Sequence, residues 1–87
     1  MDKYILVNVN MFAHESKVFV SDHENLNLIT SHTIEELPKV ISQLAHEHDI
    51  YTVKICGGGK YSHLIEYGIE SAEIAKYSEN KIKVEVI

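Results

Sequence analysis

The residues of this chain that could do chemistry are concentrated in one glycine-rich stretch, residues 56–62, which reads CGGGKYS. Consecutive glycines let the backbone reach positive φ and remove every Cβ, so a ligand can come close to main-chain N–H groups. The N–H groups that open a helix attract anions, and a lysine ammonium and a serine hydroxyl add further donors. The stretch therefore predicts a site for a small anion or a nucleotide. Its expected ligand-binding residues are Gly57, Gly58, Gly59, Lys60 and Ser62.

The glycine pattern is not a standard nucleotide-binding signature. It matches neither the Walker A loop, GxxxxGK followed by Ser or Thr, nor the dinucleotide-binding pattern GxGxxG. A glycine cluster between a strand and a helix is also typical of a tight turn that binds nothing. The sequence leaves both interpretations open.

Two asparagines are further candidates for ligand binding. Asn8 and Asn10 lie at the end of the first predicted strand. Because successive side chains alternate between the two faces of a sheet, this pair lies on one side if the strand runs on to Asn10. Polar residues also commonly mark a strand end, so the pair has a purely structural interpretation too.

The six histidines and the single cysteine do not predict a metal site. His46 and His48 are two apart on a predicted helix, which points their rings about 200° apart around its axis. Cys56 is the only thiol. We expect it to be buried, because free cysteine is among the most buried residue types. We therefore expect neither a metal ion nor a cofactor.

Strands and helices alternate along the chain in a way that would position these residues. Segments rich in β-branched and aromatic residues, or alternating in polarity, predict strands at 3–9, 17–21, 26–30, 50–56 and 82–86. Thr33 and Glu36 fit a capping box that begins a helix over 34–48. Pro38 in its second turn predicts either a 3₁₀ or kinked first turn, or a helix that begins near Pro38 itself.

A second helix follows the glycines and is expected to end at residues 78–80. Its apolar residues at helical spacing are Tyr61, Leu64, Ile65, Gly68, Ile69, Ala72 and Ala75. Gly68 and Ala72 on this face are expected to let the helix approach the sheet closely. The opposite face carries the acidic residues Glu66, Glu70 and Glu73. Such a row is ordinarily a solvated helix face, and the alternative is a surface for a basic protein partner.

The order of elements is βββαβαβ, an α/β fold with two helices and a mixed five-stranded sheet. This order resembles that of the ribonuclease-H-like and actin-like superfamily, in which three antiparallel strands precede the αβαβ part. The resemblance covers nearly the whole chain and implies the sheet order 3-2-1-4-5, with the first strand at the centre. It is one of topology and carries no sequence motif.

The functional residues of that superfamily are missing from this chain. Its nucleases hold metal ions with an acid on the first strand, where Asn8 and Asn10 stand here. Its actin-like members hold phosphate with a glycine-containing first hairpin, and residues 10–15 contain no glycine. We therefore expect that the protein is not an enzyme.

Composition limits the remaining functions. A chain of 87 residues supports one core, so residues 1–87 should form a single domain. The net charge is −5 and every basic residue is lysine, which argues against binding a nucleic acid duplex. The N-terminal residues lack a signal-peptide pattern and no apolar run is long enough to cross a membrane, so we expect a cytoplasmic protein that does not bind membranes.

Two functions remain after these exclusions. The first is a non-enzymatic module that holds an anion or nucleotide at the Gly57–Lys60 turn. The second is a small acidic interaction or inhibitor protein, of the kind that phages and mobile elements encode, which docks to a larger protein through Glu66, Glu70 and Glu73. A homo-oligomer is also open, although the lysines of the last strand argue against pairing at that edge.

Overall fold

The computed structural model describes residues 3–22, 25–76 and 82–87. Its strands are β1 (Ile5–Asn10), β2 (Glu15–Asp22), β3 (Asn25–Thr33), β4 (Thr52–Cys56) and β5 (Lys83–Val86). Its helices are α1 (Leu37–His48) and α2 (Ser62–Lys76), each preceded by a 3₁₀ turn, Ile34–Glu36 and Gly59–Tyr61. The predicted order βββαβαβ is confirmed. Strand ends differ from prediction, most of all in β3, because cross-strand pairing and not local pattern decides where a strand stops.

The strands form one five-stranded sheet in the order β3-β2-β1-β4-β5, as predicted. The pairs β1–β2 and β2–β3 are antiparallel. The pairs β1–β4 and β4–β5 are parallel. Parallel neighbours need a crossover between them, and α1 and α2 provide the two crossovers.

Both helices contribute to a single core on one face of the sheet. In β1, Ile5, Val7 and Val9 are buried and alternate with more exposed residues. They form one cluster with buried residues of both helices, Ile41 and Ile69 among them. α1 and α2 also pack against each other. The sheet therefore has one face covered by helices and one face that neither helix covers.

The start of α1 follows the sequence prediction. The Glu36 carboxylate accepts hydrogen bonds from the hydroxyl and the backbone N–H of Thr33, at 2.9 and 3.1 Å. The hydrogen bond from the Thr33 side chain is the main reason why the pKa of Glu36 lies below its ordinary value of 4.5. The first turn is 3₁₀, and Pro38 falls within the first two residues of the α-helix, where no N–H is required.

The apolar face predicted for α2 is only partly buried. Ile69 is fully buried, but Leu64 is 69% exposed and Tyr61 44% exposed. Gly68 approaches α1 and not the sheet, because a Cβ on it would lie 3.6 Å from Pro38 Cγ. The prediction failed because α2 packs on α1 as well as on the sheet, which rotates its apolar stripe. The side chains of Ala72 and Ala75 and the predicted end at 78–80 lie outside the described residues.

Within the described ranges, no helix is long and apolar enough to span a membrane.

Candidate functional site

The predicted ligand-binding residues lie at one end of the sheet, where β1 and β4 have their carboxyl ends. Asn8 pairs with Cys56 in the parallel ladder, so the glycine turn follows β4 directly beside the end of β1. A Cβ on Gly57 would lie 3.2 Å from Asn8 Oδ1. The structure therefore places Asn8 and the glycine turn together, as the topology predicted.

Two of the three glycines lie close against neighbouring atoms. Gly57 has φ +82°, and a Cβ there would lie 2.3 Å from the carbonyl oxygen of Val9. Gly58 is buried, and a Cβ there would lie 2.7 Å from Oγ of Ser62, which is itself 3% exposed. The contact at Gly57 is with the backbone and excludes a side chain, so this glycine is required for the turn to pack against β1. At Gly58 the contact is with a side-chain oxygen, so a Cβ there would require the Ser62 hydroxyl to move.

Gly59 and Lys60 are the parts of the turn that face open space. Gly59 has φ +56°, and a Cβ on it would meet no heavy atom within 4 Å. Tyr61 donates its N–H to the Gly58 carbonyl, which is the first hydrogen bond of the turn. The N–H groups of Gly59 and Lys60 come before this bond and therefore have no acceptor within the helix. The Lys60 ammonium lies 5.4 Å from the centroid of the Tyr61 ring. These donors fit an anion, although no further group converges on them.

Asn10 is engaged by the β1–β2 hairpin. Its Oδ1 accepts hydrogen bonds from the N–H groups of Phe12 and Ala13, at 3.1 and 3.2 Å. Asn8 and Asn10 also line a small polar depression of about 150 Å³ with Glu15 and Lys17. A carboxylate beside a lysine gives this depression mixed charge, so it does not extend the anion site.

The predicted acidic row of α2 is held by local contacts. The carboxylate oxygen Oε1 of Glu66 lies 3.0 Å from Nδ1 of His63. Glu70 accepts a hydrogen bond from the N–H of Val84 at 3.2 Å, which ties α2 to the edge strand β5. The side chain of Glu73 lies outside the described residues. Glu70 thus has a structural partner that the helical pattern did not reveal.

The sheet face opposite the helices is the feature that sequence reasoning missed. We call it the open face; its central residues are Leu6 and Asn8 of β1, Lys17 and Phe19 of β2, Leu26 and Leu28 of β3, and Lys54 and Cys56 of β4. Leu28, Phe19, Leu6 and Lys54 form one row across neighbouring strands. Leu28 is 55% and Leu26 44% exposed, and Leu6 and Phe19 are half-buried.

The signal for the open face was present in the order of elements. Both crossovers step in the same direction across the sheet, from β3 to β4 and from β4 to β5. Right-handed crossovers that step in the same direction place their helices on the same side. Cys56, expected to be buried, is half-buried for this reason, since its side of β4 has no helix above it.

Other parts of the described surface offer no convergent chemistry. No three His, Cys, Asp or Glu side chains in these residues are grouped so as to hold a metal ion. A cleft of about 370 Å³ lies at the amino ends of β1 and β4, at the end of the sheet opposite the glycine turn. It is a shallow, polar depression that includes Tyr4, Asp49 and Lys54.

Comparison with known proteins supports the fold and nothing finer. The sequence matches no protein-family model and no curated protein. Among solved structures, Pelota from Archaeoglobus fulgidus superposes with a TM-score of 0.64 at 10% identity, covering 98% of this chain and 26% of that one. The Ppx/GppA phosphatase from Aquifex aeolicus gives a TM-score of 0.49 at 11% identity, covering 100% of this chain and 36% of that one.

The likeness to Pelota shows the fold of the chain alone. The sheet order 3-2-1-4-5 with two helices on one side, and the superposition on Pelota, define an α/β fold with a mixed five-stranded sheet. The chain spans only 26% of the Pelota chain that it matches. At such identities the likeness shows architecture alone, and the phosphatase score is too low to carry an argument.

Proposed function

We propose that this protein is an interaction module that binds an amphipathic helix of another protein across its open face. The observation that carries this proposal is the apolar patch formed by Leu6, Phe19, Leu26 and Leu28 on the side of the sheet that neither α1 nor α2 covers. Sheets in globular domains bury their apolar faces against another layer. A contiguous apolar patch left at the surface marks an interaction site.

The dimensions of the patch favour a single helix as the occupant. Its apolar side chains lie on the three neighbouring strands β1, β2 and β3. Two strand spacings make about 10 Å, close to the diameter of roughly 10–12 Å of an α-helix with its side chains. One helix laid on the open face would therefore cover these residues.

The charges beside the patch favour acidic flanks on that helix. Lys54 pairs directly with Leu6, and Lys17 lies two residues from Phe19 on the same side of β2. Glu85, paired with Lys54, and Glu15, beside Lys17, offset part of this charge farther from the patch. Complementary charges at the rim steer association and fix its register.

Protection of Cys56 tests the proposal. The only thiol of the chain lies on the open face and is half-buried, so a bound helix should slow its reaction with a thiol reagent. Proteins captured from a lysate of the source cells would be purified and added back to the isolated chain. We expect the partner to protect Cys56, and Phe19→Glu to abolish both capture and protection.

Tyr67→Glu is the matched control. Tyr67 is an aromatic residue, 72% exposed, on α2 and therefore on the helical side of the molecule. We expect Tyr67→Glu to leave binding unchanged. Binding that Tyr67→Glu abolishes and Phe19→Glu preserves would assign the interaction to the helices and refute the open-face proposal.

Anion binding at the glycine turn is the second candidate function. Gly59 and Lys60 favour it, because both residues are exposed and their N–H groups open a helix. Phosphate or ATP should then raise the melting temperature of the wild type. Lys60→Ala should remove this shift, while Lys39→Ala, an equal loss of charge at an exposed position of α1, should retain it. No shift with either anion in the wild type would dismiss this function.

A further inference from the structure

The two edges of the sheet differ in how well they are protected from pairing. β5 is a strand of four residues that carries Lys83 and Glu85. β3 is a strand of nine residues, NLNLITSHT, with no lysine, arginine, acid or proline. Short, charged edge strands resist pairing with another chain, and long, uncharged ones invite it. β3 is therefore the edge of this sheet that is open to another strand.

We propose that two copies of this chain pair through β3 in antiparallel orientation, which joins their sheets into one continuous sheet across a two-fold axis. This pairing uses the edge of β3 and does not depend on the helix proposed for the open face. A two-fold axis pairs the same strand of each copy, so the surface must complement itself. β3 satisfies this requirement in shape and in charge.

The residues of β3 select one register. Pairing on β2 is irregular between Val18 and Phe19, which leaves Ile29 without a partner and places a bulge there. A bulge turns an edge away from pairing, so the regular segment is Asn25–Leu28. A two-fold axis at Asn27 sets Leu26 of each copy opposite Leu28 of the other. Both leucines lie on the open face, so the apolar patches of the two copies become continuous.

Charge favours a second copy at β3 over any other part of the molecule. The chain has a net charge of −5, so two copies repel each other in general. β3 carries none of that charge, and Leu26, Leu28 and Ile29 are 44%, 55% and 43% exposed. Contact through β3 buries these side chains and brings no acidic residue of that strand next to another.

The contact is small, so the dimer should depend on concentration. Pairing over about three residues of each copy, Leu26–Leu28, with two leucine contacts, falls at the low end of specific interface sizes, below roughly 1,200 Å². Sedimentation of the wild type should show a monomer of 9.9 kDa in dilute solution and a species of twice that mass on concentration. A spin label on Cys56 should then report a separation of roughly 40 Å, because seven strand spacings, about 33 Å, lie between the two labels across the joined sheet and the labels are also about 20–25 Å apart along the strands.

A charge swap at Asn27 tests the register. Asn27 is exposed and faces its own copy across the proposed axis, so Asn27→Lys and Asn27→Glu each oppose like charges. Each variant alone should remain monomeric at concentrations where the wild type is half dimeric. An equimolar mixture of the two should recover the dimer.

Gln43→Lys and Gln43→Glu are the matched controls, since Gln43 is an exposed amide on α1. Both should dimerise as the wild type does. A wild type that stays monomeric into the millimolar range would overturn the proposal and leave β3 to a strand of some other protein. Dimers that form equally well with Asn27→Lys or Asn27→Glu alone would also overturn it, because the contact would then lie elsewhere.

Discussion

Alanine in place of Gly57 should destabilise this fold by about 1–4.5 kcal/mol, about 1–3 kcal/mol more than alanine in place of Gly59. Both residues have positive φ, +82° and +56°. An L-residue in that region costs about 1–2 kcal/mol. At Gly57 the new Cβ would also lie 2.3 Å from the carbonyl oxygen of Val9 in the central strand. Forcing such an overlap typically costs a further 1–3 kcal/mol or more, since backbone must move.

Gly59→Ala is the matched control for the conformational part of this cost. No heavy atom lies within 4 Å of a Cβ at Gly59, so only the unfavourable positive φ destabilises that variant. Alanine also reduces the conformational entropy of the unfolded chain, which raises the free energy of unfolding of both variants by about 0.4–1 kcal/mol. Gly59→Ala should therefore cost about 1 kcal/mol or less. The difference between the two variants measures the contact with Val9.

Urea denaturation followed by far-ultraviolet circular dichroism would measure both free energies of unfolding. Domains of this size are stable by about 5–15 kcal/mol, so Gly57→Ala should be studied at low temperature to keep a folded baseline. An unchanged m-value would show that both variants unfold from the same native state. A difference of less than 1 kcal/mol between Gly57→Ala and Gly59→Ala would refute the close approach of the turn to β1.

Three further predictions concern the ends and edges of the elements. Asp49 ends α1 with φ +55°, so Asp49→Gly should stabilise the protein by about 0.5–1 kcal/mol and raise its melting temperature by several degrees. Glu36 has a lowered pKa in the folded state, so its contribution is present above its ordinary pKa of 4.5 and is lost as the pH falls through the folded value. The stability difference between the wild type and Glu36→Gln should therefore disappear in acid. Glu70→Ala removes the acceptor for the Val84 N–H and should cost about 1 kcal/mol and speed amide exchange at Val84, whereas Glu70→Gln keeps an acceptor and should restore most of both.

Different residues test the competing functions. Because Gly57 is required by packing, its substitution would impair any function through the fold. Lys60 tests the anion site, Phe19 tests the open face and Asn27 tests the β3 edge, and each of these side chains lies outside the buried core. Their effects can therefore be separated from loss of structure.

Local sequence was sufficient for the elements and their order. Thr33, Glu36 and Pro38 specify the start of α1 through hydrogen bonds and backbone geometry that span only a few residues. Apolar residues that recur every two residues indicated strands, and those that recur about every 3.6 residues indicated helices, because each element must bury one side. The βββαβαβ order, together with the resemblance that it suggested, then gave the sheet order that the structure shows.

Only the tertiary structure decided what each surface does. Alternation along β1 shows that Leu6 and Val7 face opposite ways, but coverage by a helix depends on crossovers formed far away in sequence. The same limit applies to the glycines, since the need for glycine at position 57 comes from the Val9 carbonyl, nearly fifty residues earlier. Contacts between distant segments leave no local pattern, so the sequence showed where the turn lies and the fold showed that packing requires its first glycine.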